Sequence, residues 1–141
     1  MSIRESICSD IVSTLRDATG ISYVTREPFE FEQLSSAQFP ACLIQTARES
    51  RSDSTIGDSS IQRQAELTIQ IFGFVKGSSI DTARNSLIEL IEEELDADRT
   101  RGGYALDTQV LEVETDEGAI NPYGGVVVTV SVLYTFTRGN A

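Results

Sequence analysis

Two hydrophobic periods alternate along the chain. Ile3, Ile7, Cys8, Ile11, Val12 and Leu15 recur at steps of three and four, which is one stripe of an amphipathic helix. Ser2 and Glu5 have capping-box spacing and Gly20 stands where a glycine cap would end the element, so a helix is predicted over about residues 3–18. The same period returns at Ala83, Leu87, Leu90, Ile91 and Leu95, with Ile88 beside them. Ser78 and Ser79 offer an N-cap and the helix is expected to end near Asp98. Glu89, Glu92, Glu93 and Asp96 lie on or beside its opposite face, and the run Glu92–Glu93–Glu94 reads as a wet surface.

Elsewhere the period is two. In "RQAELTIQIFGFV", residues 63–75, Ala65, Leu67, Ile69, Ile71, Gly73 and Val75 form one alternate set. The other set begins Gln64, Glu66, Thr68, Gln70 and then changes to Phe72 and Phe74. A strand with one wet face should keep that face polar to its end. The two rings therefore meet either a cover supplied by the chain itself or another subunit. "VVVTVSVLYTFT", residues 126–137, is the clearest strand, with Val126, Val128, Val130, Val132, Tyr134 and Phe136 on one face. Further strands are predicted at about 104–115, at 41–47 after Pro40, and in the short "ISYVTR", which Pro28 confines to an edge or an irregular extended segment. "AINPYGG" is a turn-rich link.

The order of elements predicts an α+β fold: two layers, a mainly antiparallel four- to five-stranded sheet, and two helices packed on one face. Residues 1–141 are expected to form a single domain, a length at which roughly two thirds of the unfolded surface can be buried. Residues 48–62 are expected to be a mobile loop within it, because "RESRSDSTIGDSSI" is rich in Ser and Asp and longer than most connections. Arg48, Arg51, Asp53 and Asp58 in that loop are candidates for ordering against a partner, with a ligand flap as the alternative.

Composition narrows the function classes. Eleven Lys and Arg against 22 Asp and Glu give a net charge of −11 with no basic cluster. Free nucleic acid and anionic membranes are repelled by such a surface, while a wall past which DNA slides without sticking remains compatible. No stretch approaches the ~20 apolar residues of a membrane span, and the opening "MSIRESICSDIV" carries early charges rather than a signal-peptide core. Cys8 and Cys42 are the only cysteines, read as two buried free thiols in a reducing cytoplasm rather than a disulfide.

The chain has no His, so Ser-His-Asp and Cys-His catalysis are excluded within it. It also lacks a P-loop and a GxGxxG motif. Glu112, Glu114 and Asp116 are the remaining candidates for a divalent ion. The reading preferred for them is a solvated acidic face that blunts a sheet edge. No cofactor is expected.

Three passages resemble one family. They are "QFPACLIQTARES" (38–50), "RQAELTIQIFGF" (63–74) and "TDEGAINPYGGVVVTVSVLYTF" (115–136). In pattern and order the chain resembles the phage tail terminator proteins, the minor tail protein U-like group of long-tailed phages. The resemblance implies a non-enzymatic virion protein that assembles in the host cytoplasm and forms a hexameric ring at the head-proximal end of the tail tube. Such a ring stops tube polymerisation and docks a head-completion or connector protein, and DNA passes through its bore without sequence-specific binding. The partners implied are other copies of the chain, the tail tube protein and the connector. The alternatives are another head-tail connector or tube protein of the same fold, or a small metal- or ligand-binding module. Under the resemblance Gln64, Glu66, Thr68, Gln70, Phe72 and Phe74 become candidate subunit or partner contacts. On that reading Phe74→Asp would leave a folded monomer with weakened ring formation.

Overall fold

A computed structural model describes residues 2–53, 62–118, 120 and 122–137. Its elements run α1 (Ile3–Asp17), β1 (Tyr23–Thr25), β2 (Ala41–Asp53), β3 (Gln62–Lys76), α2 (Ile80–Asp96), β4 (Asp107–Thr115) and β5 (Tyr123–Thr137). The strands form one five-stranded sheet in the order β1-β2-β3-β5-β4. The expected α+β architecture is present. All neighbouring pairs are antiparallel except β1 with β2. That exception follows from residues 26–40, which carry the chain back across the sheet before β2 begins.

Both helices pack on the face bearing the strict apolar alternation. On β3 this is Ala65, Leu67, Ile69, Ile71 and Val75; on β5 it is every second residue from Val126 to Phe136, all buried. From α1 come Ile7, Cys8, Ile11, Val12 and Leu15, and from α2 Ile80, Leu87, Ile91 and Leu95. Each such side chain contributes about 1.5–3 kcal/mol by leaving water. Gly73 permits the close approach of α2: a β-carbon there would stand 2.7 Å from Leu87 Cδ2 and 2.8 Å from Val126 Cγ1. Cys8 and Cys42 are free and buried, and burial pushes the Cys42 thiol up to about 12.

Local chemistry sets the helix ends. The Ser2 hydroxyl accepts from the Glu5 amide at 3.1 Å, opening α1 as predicted. At α2 the expected serine cap is only positional: Ser79 makes no side-chain capping bond. Asp81 instead supplies negative charge to the first turn. At the other end of α2, the fully buried guanidinium of Arg101 donates to the carbonyls of Leu95, at 2.6 Å, and Asp98. It also lies 3.3 Å from Asp10 of α1, so one side chain terminates α2 and ties it to α1.

The predicted loop at 48–62 is corrected at both ends. β2 continues to Asp53 and β3 begins at Gln62, with the ladder unbroken from Arg48↔Thr68 to Asp53↔Arg63. A bulge between Thr46 and Arg48 shifts the register by one residue. After it, Glu49 and Arg51 turn toward the helix-bearing face. There the Tyr134 hydroxyl donates to Glu49, Arg4 and Arg51 pair with the same carboxylate, and Arg51 lies 4.7 Å from the centre of the Phe136 ring. Polar and aromatic partners thus hold a strand that shows no apolar alternation.

Candidate assembly interface

The six predicted contact residues share the face of β3 that carries no helix. Across β5 they oppose Thr135 (Gln64), Leu133 (Glu66), Ser131 (Thr68), Thr129 (Gln70), Val127 (Phe72) and Gly125 (Phe74). On the β2 side Gln70 opposes Gln45, Phe72 opposes Leu43 and Phe74 opposes Ala41. The face is therefore graded. From Gln64 to Gln70 it is mainly a lattice of amides and hydroxyls, interrupted by Leu133, by Arg48 opposite Thr68, by Glu112 opposite Thr129, and by Glu66, whose carboxylate accepts from the Ser131 hydroxyl at 3.0 Å. Leu43, Phe72 and Val127 then form a half-buried apolar band.

Beyond the band the face is closed by its own chain. Phe31 stacks on Phe74 with centroids 5.1 Å apart, and Phe29 meets Phe74 edge-on at 5.6 Å. Tyr23 packs on Phe29, and Phe31 and Phe39 both pack on Tyr123. Each such pair adds about 0.5–1.5 kcal/mol beyond area burial. Phe74, expected to meet a neighbouring subunit, is half-buried against rings of its own chain. Its cover is the segment between β1 and β2. The signal for this lay in "PFEF": in an extended segment two rings spaced by one residue point the same way.

The structure separates the other candidates. Arg48 is exposed on the helix-free face and makes no hydrogen bond or ion pair among the described residues. Arg51 is on the opposite face, bound to Glu49. The backbone of Asp53 pairs with Arg63, and Asp58 lies outside the described residues. Arg48 and Arg51 thus stand on opposite faces of β2 and do not share one surface.

Glu112 and Glu114 stand exposed on the helix-free side of β4, opposite Thr129 and Val127. A hydrogen bond that the Glu112 carboxyl donates to Glu114, together with the charge of Glu114, pushes Glu112 above its ordinary value. Asp116 does not join them. Its carboxylate accepts from Arg84 at 2.6 Å, from the Gly125 amide at 3.1 Å and from the Ile120 amide at 3.2 Å, pinning the β4–β5 turn to α2. Burial works to raise this carboxyl, but those amides and the guanidinium outweigh it and hold it below the usual range. Among the described residues no three potential metal ligands come together, and no helix is long and apolar enough to cross a membrane.

The fold has a counterpart among solved structures. A chain from the virion of a native gene transfer agent particle superposes with a TM-score of 0.53 at 9% identity, covering 95% of this chain and 98% of that one. At that identity the likeness concerns the fold. No family model and no curated protein matches the sequence. The superposition runs through both chains nearly end to end.

Sequence patterning missed three features of this surface. Among the described residues Tyr104, Leu106 and Leu111 are the exposed large apolar side chains, on β4 or just before it. Leu111 is the unpaired residue of the bulge in β4 and stands with Gln109, Ser131 and Leu133. Alternation alone gives no sign of that bulge.

Proposed function

We propose that this chain is a structural, non-enzymatic virion protein that forms a ring at the head-proximal end of a phage-type tail tube. The ring stops tube polymerisation and presents a docking surface to a head-completion or connector protein. The observation that carries the reading is the near-complete, end-to-end fold likeness to a chain of a gene transfer agent virion. It is supported by the three sequence passages that resemble tail terminators, and by a graded sheet face whose polar, largely uncharged half suits alternate wetting and packing. The net charge of −11 suits a bore that does not grip DNA.

The test is tube growth. Purified tail tube protein is allowed to polymerise with and without this chain, and tube lengths are measured. The reading expects growth to halt, with the chain bound at one end of each tube. Co-polymerisation along the whole tube would instead identify a tube protein, and binding only to the portal side of heads would identify a connector.

A further inference from the structure

We propose that copies of this chain join by sheet extension, the free edge of β4 in one copy pairing with the free edge of β2 in the next. Both edges are open among the described residues. β4 is the last strand of the sheet, paired only with β5. β1 covers β2 only at Ala41, Cys42 and Leu43, so residues 44–53 have a partner on the β3 side alone. The two free lengths are close: nine residues in β4 and ten in residues 44–53 of β2. Unpaired strand edges are templates for another chain.

Topology fixes the direction of pairing. β2, β3, β5 and β4 alternate in direction across the sheet. Rotating a copy about an axis along the strands preserves those directions. The neighbour's β2 then arrives antiparallel to β4, and the ladder continues. Such a contact uses two different surfaces on each copy, the kind that closes into rings.

Charge selects this pairing over the symmetric one. β4 presents the exposed Glu112 and Glu114 on the helix-free face, Asp107 being held by Arg99 of its own chain, whereas β2 presents Arg48 there, exposed and without an ion pair among the described residues. β4 against β4 would set acid against acid, which is destabilising when like charges oppose. β4 against β2 sets acid against Arg. The apolar share of the contact is also on hand: Leu106 is 56% and Leu111 55% exposed, and sheet extension would cover them. The contact supplies the joint of the proposed ring and rests on that reading for closure.

The experiment follows assembly of the full chain by sedimentation velocity across a dilution series. Arg48→Glu alone, and Glu112→Arg with Glu114→Arg, should each raise the half-assembly concentration by about tenfold. Combining all three restores opposite charges and should restore assembly. These positions are exposed, so thermal melts of the monomers should stay unchanged. Hydrogen exchange provides a readout independent of register: amides in residues 44–53 and 107–115 should gain protection on assembly. Assembly that ignores all three substitutions, or leaves both segments unprotected, overturns the joint, as does a monomer at every concentration. If edge-paired oligomers form but do not halt tube growth, the joint stands and the tail reading fails.

Discussion

The two ends of β3's helix-free face begin from the same rule and finish differently. At the Phe74 end, Phe29, Phe31 and Tyr123 from other parts of the chain close over the strand. At the Gln64 end nothing among the described residues covers Gln64, Thr68 and Gln70 except their neighbours in the sheet. One end is thus a half-buried aromatic cluster supplied by the monomer itself, and the other is a polar surface without such a cover. Apolar character on a strand face shows that something covers it. It does not say whether the cover is the chain itself or a partner.

This difference is open to attack by substitution. Phe74→Asp should cost about 3 kcal/mol of monomer stability, because it opens a cavity among rings and leaves a charge there. The urea midpoint of the dilute monomer measures it. A variant that stays fully stable but fails to assemble would return Phe74 to the subunit interface.

Asp116→Asn tests the turn bordering the closed end, since Gly125 is both the partner of Phe74 across the sheet and a donor to Asp116. The loss should be roughly 2 kcal/mol at neutral pH, the size of hydrogen bonds to a charged group. Its pH dependence has a definite sign. The folded carboxyl titrates below its ordinary value, so its contribution is complete above the unfolded pKa of roughly 3.9 and is lost as pH falls through the folded one. The difference between Asp116→Asn and the parent chain should therefore shrink in acid below that unfolded value. A gap that persists there would assign the effect to geometry rather than charge.

At the open end, Gln70→Ala should change monomer stability by less than about 0.5 kcal/mol. A larger loss in thermal melts would mean that the amide lattice is structural.

Much of this was legible in the sequence because the elements are periodic. The stripes of α1 and α2, the alternation of β3 and β5, and the α+β class follow from burial on one face. The part that was not legible depends on contacts between distant residues. β2 beyond Thr46 reads as a loop because its partners are Tyr134, Arg4 and Phe136 rather than an apolar stripe. Asp116 reads as a third carboxylate of an acidic face, yet Arg84 and two turn amides take it elsewhere. Phe74 reads as a contact for a partner until the fold brings Phe31 onto it. The six candidate contact residues do share one face, as alternation requires. Which of them stay open is set by what residues 26–40 leave uncovered.

The central claim is that this fold serves as a ring-forming virion subunit, and electron micrographs of the purified full-length protein at rising concentration test it most directly. The account predicts discrete single rings that do not stack. Long filaments, or monomers at every concentration that leave tube ends bare, would contradict it.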